Sequence, residues 1–530
     1  MEKGDSLRNT AVYKLMRTSV FGTLVHHISG RKLFTYDDDD NVELSILCKD
    51  PCNVKSNISR DECNNEKEPI DEEKTCGDDK YNGKIIIGWD GPNDPENPYN
   101  WSLSYKVIFI FMVFFMTTSL YSASALYTPG ESQVREDLRI GTTVAILPLT
   151  LFVIGYGLGT LVFSPMSETA TLGRAPIYIV TLLIFVVLQV PTALINNITG
   201  LCILRFLGGI FASPCLATGA ASVGDVVTLP FIVIGLPVWD MSAELGPALG
   251  PLIGSVLVVK AGWRWCFWLL LILNAICLGF LFVLMPETYS KTILHRKAER
   301  LRRKTGNNNI VGEGELDGTN NTLGELTKEI LWRPIVIIFS EPVVMFIDLY
   351  MALIYAMLYL WFEAFPITFL QTKHFTLVTM GTSYFSLIVG CICAFVLIVP
   401  LFYRIFTKRL LRGETVVPEI FLPMAIVGSV FMPAGVFVFG WTSSRDIHWI
   451  CPLVGGALFG AGMFIEFLTL FNYLGMSFPR YVASVFGGNN LSDPFWLVVF
   501  HYLLTRYLAT FLPKNIPWDG VVVLLDSFFL

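Results

Sequence analysis

With 530 residues, 53% of them hydrophobic and only 15% charged, the chain is far poorer in charge than a water-soluble protein, in which about a quarter of residues are charged. Its net charge of −6 is concentrated rather than spread: much of the acid lies in the first hundred residues, including the run Asp37 to Asp40. This balance argues against a nucleic-acid partner and for a polytopic membrane protein.

Residues 1–104 read as a cytosolic tail, largely disordered because its middle is dominated by Asp, Asn, Glu and Lys. Val20, Phe21, Leu24 and Val25 fall on one side of a short amphipathic helix. Cys48, Cys52, Cys63 and Cys76 show no zinc spacing and read as free thiols in a reducing compartment. The tail closes on the turn-rich Trp89-Asp-Gly-Pro-Asn-Asp-Pro-Glu-Asn-Pro-Tyr-Asn-Trp101.

From Val107 apolar stretches of about twenty residues follow one another, each able to cross a hydrocarbon core of roughly 30 Å as a helix. They are expected near 107–126, 144–163, 177–195, 201–223, 231–257 and 266–285, then near 341–362, 383–403, 417–440, 450–474 and 494–512. A final apolar piece, 519–530, is too short to span and carries Asp526. The break after the sixth stretch carries Lys291, Arg296, Lys297, Arg300, Arg302, Arg303 and Lys304, and the break after the eighth carries Arg404, Lys408, Arg409 and Arg412. Alternating spans put both breaks on one side, and the positive-inside rule makes that side the cytosol, together with the N-terminus. The sequon Asn197-Ile-Thr199 then falls in a very short outer loop. The organisation is a tail (1–104), a first bundle (105–285), a central cytosolic loop (286–333) and a second bundle (334–530), the pattern of transporters with a cavity between two halves.

Polar groups inside the spans are the candidate machinery, because lipid makes them costly. Arg205 sits in the fourth span, where it either faces the cavity and tunes a nearby carboxylate or pairs with backbone carbonyls. In the fifth span, Gly246, Pro247, Gly250, Pro251 and Gly254 form a ladder on one helical face, bent by its prolines and suited to one bundle rocking past the other. Between the second and third spans, Glu168, Gly173 and Arg174 lie at opposing helix ends and read as a cytosolic gate latched by an ion pair. Asp240 and Glu244, four apart on the fifth span, Asp348 on the seventh and Glu466 on the tenth line the expected substrate cavity with Tyr355, Tyr359 and Phe365. No Walker phosphate loop is visible, so nucleotide hydrolysis is not the energy source.

Several stretches together carry a resemblance: Trp89-Asp-Gly-Pro-Asn-Asp-Pro-Glu-Asn-Pro, Ser164-Pro-Met-Ser-Glu-Thr-Ala, Leu204-Arg-Phe-Leu-Gly-Gly, Gly250-Pro-Leu-Ile-Gly254, Trp263-Arg-Trp-Cys-Phe-Trp268 and Pro286-Glu-Thr288. From about Trp89 to about Asn490 the chain resembles the fungal drug:proton antiporters of the major facilitator superfamily, in the twelve-span, multidrug and fluconazole/benomyl resistance branch. The resemblance implies an all-α fold of two six-helix bundles and proton-coupled efflux of structurally varied small molecules at the plasma membrane. It further implies a monomeric carrier, not an enzyme, that needs no cofactor or metal. Arg205, Asp225 and Glu363 match family positions tied to proton coupling, and the fifth-span ladder matches the antiporter motif. Asp240, Glu244 and Glu466 stand where the family pattern leads one to expect small or apolar residues. Beyond Asn490 the pattern breaks down, leaving the last span incomplete or diverged. Two rival readings stay open: a dedicated polyamine or metabolite exporter, and a non-transporting scaffold or inactive remnant.

Overall fold

The computed structural model describes residues 84–318, 336, 340–478, 485, 486, 488 and 489. The expected tail up to residue 83, the span at 494–512 and the piece 519–530 lie outside the described residues. Among the described residues, ten helices are long and apolar enough to cross a membrane. They run Leu103–Leu138, Val144–Ser167, Ala175–Leu194, Ile198–Val226, Leu229–Ala261, Arg264–Leu284, Pro342–Thr372, Leu377–Leu411, Pro418–Thr442 and Ile450–Ser477. They are called the first to tenth spans below, and the side on which residues 84–101 meet the bundle is called the tail side. Continuous apolar sequence in lipid leaves the backbone no partner but itself, which is why these stretches are helical.

Their ends follow local chemistry. Asn197 accepts from the Gly200 amide at 2.6 Å and so caps the fourth span. Gly262, at φ 88°, ends the fifth span, and Arg264 begins the sixth. Several spans run beyond their expected limits. The first continues through the turn at Pro129-Gly130 into a short helix, Glu131–Leu138. The seventh continues past Pro366 as a wider, five-residue-bonded turn to Thr372, which lets the helix pass a residue with no amide hydrogen.

In the first bundle the second and fourth spans touch backbone to backbone. A Cβ on Gly155 would lie 2.2 Å from the Phe206 carbonyl, and one on Gly209 would lie 2.1 Å from that of Phe152. These small residues replace the hydrophobic driving force that lipid does not supply. The fifth span runs between the halves, meeting the first span on one side and the eighth and tenth on the other. On the tail side, Ile85–Ile87 (β1) pairs in parallel with Ile310–Gly312 (β2), in the register Ile85 to Ile310. The helix Ser290–Thr305 seals this ribbon, with Ala298 and Leu301 closing over Ile87 and Ile310.

Candidate functional site

The tail-side end of the first bundle is a network of paired charges. Gly173 turns the chain at φ 77°, and Arg174 then starts the third span. The Arg174 guanidinium forms a two-pronged ion pair with Asp225 of the fourth span, at 2.8 Å through Nε and 3.2 Å through Nη2. Glu168 lies within electrostatic reach of Arg174. The ion pair of Arg174 is made to Asp225, which the sequence reading had grouped with proton coupling. The fourth span ends at Val226 directly above the loop, and this proximity decides the pairing.

Glu287, at the end of the sixth span, is the residue sequence reasoning missed. Its carboxylate accepts from the backbone amides of Arg174 at 3.0 Å and Ala175 at 3.4 Å, filling the open N-terminus of the third span. A Cβ on Gly173 would lie 2.3 Å from the same carboxylate, so this position has no room for a side chain. The available signal was the Pro286-Glu-Thr288 motif, quoted above for its resemblance but assigned no role.

The helix Ser290–Thr305 extends the network. Lys297 is 2% exposed, and its ammonium lies 2.7 Å from Asp90 and 3.8 Å from Asp94 in the turn-rich segment. Asp94 in turn accepts from the amides of Asp90 and Glu96, both at 2.8 Å. Glu315 receives two hydrogen bonds from Arg302 at 2.8 Å and meets His295 Nδ1 at 2.6 Å. Burial pushes the Glu315 carboxyl up, but the bonds from Arg302 and His295 outweigh it and leave it below the usual 4.5.

Arg205 is buried deep in the first bundle. Its guanidinium donates to the carbonyls of Ala123 at 2.8 Å, Ser124 at 3.1 Å and Pro148 at 3.3 Å, and lies 4.3 Å from the Phe152 ring centre. Of the two readings open at the sequence level, these contacts are those of carbonyl pairing. Ala123 and Ser124 lie in the last turn of the helix Leu103–Ala125, where carbonyls lack a following helical amide and a guanidinium fork can collect them.

The fifth-span ladder packs within its own bundle. Cβ atoms on Gly246, Gly250 and Gly254 would lie 2.4 Å from Tyr121 Cβ, 2.8 Å from the Leu126 amide nitrogen and 2.4 Å from the Leu126 carbonyl oxygen. All three glycine contacts are to the first span, inside the first bundle. Pro247 and Pro251 lie buried on the same helix, and Pro251 is where the eighth span approaches at Gly381.

The seam between the halves is different in kind. Asp240 and Glu244 are both buried on the fifth span. The Cys391 thiol of the eighth span donates to Glu244 Oε2 at 2.9 Å, while Asp240 Oδ2 and Glu244 Oε1 meet no hydrogen-bond partner among the described residues. Asp348, 1% exposed on the seventh span, has no partner at either oxygen among the described residues. Glu466, fully buried on the tenth, accepts from the Tyr350 hydroxyl at 3.2 Å through Oε1, and its Oε2 meets no partner among the described residues. Tyr156 of the second span donates across the seam to Tyr355 at 2.5 Å, and Tyr355 lies 3.3 Å from Tyr359. Glu363, near the far end of the seventh span, is within electrostatic reach of Glu131, a second missed acid that follows the first span. Phe365 packs against the rings of Trp361, Phe369, Tyr384 and Phe439. Among the described residues, no three His, Cys, Asp or Glu side chains gather as a metal site.

The pattern of the Major Facilitator Superfamily matches residues 107–496. The "Cycloheximide resistance protein" of Candida maltosa is 47% identical over 483 residues, covering 89% of this chain and 88% of that relative. "Transporter mfs1" of Schizosaccharomyces pombe is 40% identical over 490 residues, covering 90% and 88%. The "Fluconazole resistance protein 1" of Saccharomyces cerevisiae is 38% identical over 444 residues, covering 83% and 80%. In three dimensions the chain is similar to the proton:xylose symporter XylE, with a TM-score of 0.54 at 12% identity over 78% of this chain and 92% of that one.

Proposed function

This chain belongs to the Major Facilitator Superfamily, and from that premise we propose that it expels structurally varied small molecules across the plasma membrane in exchange for protons. It works as a monomeric carrier by alternating access, performs no covalent chemistry, and keeps its tail and central loop in the cytosol. Relatives named for resistance to cycloheximide and fluconazole support export of toxicants.

The observation that carries the reading is the set of buried carboxylates at the seam, on the fifth, seventh and tenth spans, with oxygens that meet no donor among the described residues. A carboxylate in such a place is costly as an anion and inexpensive as a neutral acid. Access from one side lets it take a proton and access from the other lets it release one, so its charge is tied to which way the carrier faces. Arg174, Asp225 and Glu287 join the third, fourth and sixth spans on the tail side, and serve as the latch that this cycle opens and closes.

The test is expression in a strain stripped of its own exporters. Tolerance of cycloheximide and fluconazole is expected to rise, and a protonophore is expected to abolish the gain. Inverted vesicles should take up a labelled toxicant faster as an imposed inward-acid gradient grows. Uptake indifferent to that gradient rejects proton coupling, and no uptake at all rejects export.

A further inference from the structure

No step of the proposed cycle uses the turn-rich segment 89–101, yet it is built as a rigid piece. The buried Asp94 gathers the amides of Asp90 and Glu96. Asn97 accepts from the Tyr99 amide at 3.0 Å, and the Asn100 side-chain amide donates to the carbonyls of Pro92 at 2.8 Å and Asp94 at 2.9 Å. Side chains thus satisfy the backbone of the turn, and Pro92, Pro95 and Pro98 restrict it further.

This piece is fastened at several points. Trp101 packs edge-on against Tyr105 and Phe109 of the first span, with ring centres 4.4 and 6.2 Å apart. Upstream, Ile85–Ile87 is bonded to Ile310–Gly312. Between these anchors Asp90 and Asp94 hold Lys297, and Glu96 meets Arg300 at 3.1 Å. The helix Ser290–Thr305 that carries both bases also holds the loop leading into Arg174. Thr292 Oγ1 donates to the Thr169 carbonyl at 3.2 Å, and Arg296 Nη2 donates to the Leu172 carbonyl at 3.3 Å. The segment reaches the latch directly as well: the Tyr99 hydroxyl donates at 3.4 Å to the carbonyl of Gly224, the residue before Asp225.

We propose that residues 84–101 are a clasp that closes over the tail-side latch, so that the Arg174–Asp225 pair opens only when the clasp lifts. Lys297 makes the clasp two-state. Seated, its buried ammonium has two acids; half lifted, it would be a buried ion without them, so release runs on to full hydration. The clasp rests on the reading of Arg174, Asp225 and Glu287 as a latch and adds the element that governs it.

Hydrogen exchange of the purified full chain in detergent tests it, because coupled elements loosen one another. Lys297→Met removes the ammonium and is expected to speed exchange of residues 84–101 about tenfold, and that of residues 169–175 with it, while the middles of the second and fourth spans stay protected. Tyr99→Phe changes one exposed hydroxyl, so the test does not depend on the first variant folding. It is expected to speed residues 169–175 about threefold. Glu287→Gln weakens the latch but keeps an acceptor for the amides, and is expected to loosen residues 84–101 in return. A latch that stays protected in the Lys297→Met and Tyr99→Phe chains overturns the proposal, and so does a clasp that stays protected in the Glu287→Gln chain. Exchange that rises evenly through the whole first bundle also overturns it, since that is general unfolding. Vesicle uptake is read separately. If uptake fails while the linked exchange holds, the export reading falls and the clasp stands; uptake with unlinked exchange removes the clasp alone.

Discussion

The tail-side end of the first bundle and the seam between the bundles both bury charge, but they treat it in opposite ways. At the tail side Arg174 has Asp225, the third span's open amides have Glu287, and Lys297 has Asp90 and Asp94. At the seam Asp240, Asp348, Glu244 and Glu466 all keep oxygens with no donor among the described residues. Paired charges hold one arrangement, because breaking them strands a buried ion. Acids with open oxygens are held less tightly, because no ionic partner among the described residues fixes them. A carrier needs both kinds of site, and this chain places them on different elements.

The largest expected effect is at the latch. Asp225→Asn leaves the Arg174 guanidinium buried beside a neutral amide and is expected to cost about 3–5 kcal/mol. Thermal unfolding of the purified protein measures it, and the exchange Arg174→Asp with Asp225→Arg should recover part of the loss. A variant as stable as the parent would show that the latch is solvated and the comparison wrong. Next comes the ladder: Gly250→Ala places a methyl 2.8 Å from the Leu126 amide and is expected to cost about 1–3 kcal/mol. Because the contact lies inside one bundle, the loss should appear in stability before it appears in substrate affinity; the reverse order would mark the ladder as a sliding surface.

A smaller effect is expected at the seam. Tyr355→Phe removes the hydroxyl that joins Tyr156 to Tyr359 and is expected to cost about 1 kcal/mol, read as a change of about fivefold in the KM of vesicle uptake. The smallest is a pH effect on the ribbon. Since Glu315 titrates lower in the folded protein than when unfolded, its contribution is fully present above pH 4.5 and fades as pH falls through the lower, folded value. Hydrogen exchange of residues 295–315 should lose protection only below that range, and Glu315→Gln should flatten the profile.

Much of the membrane fold was legible one residue at a time. Continuous apolar stretches interrupted by basic breaks place the spans, because a helix in lipid satisfies its backbone locally and composition alone reports it. Yet the span limits were short at Gly130 and Pro366, where sequence signals a stop and the chain passes through as a turn or a widened helix. Arg205 was recognised as significant from its cost in lipid, but its acceptors were not, since carbonyls belong to every residue and leave no mark in a sequence. Glu287 sits 113 residues from the amide it caps, a separation no local pattern bridges.

The sequence alone therefore determined which segments lie in the membrane, which side chains are too polar to be there by accident, and that the chain falls into two halves. Only the tertiary structure decided that Asp225 answers Arg174, that the ladder glycines face the first span, and that each seam acid keeps at least one oxygen with no donor among the described residues. The physical reason is that hydrophobicity acts through composition along the chain, whereas a charge is stabilised or stranded by atoms a few ångströms away that arrive from distant parts of it.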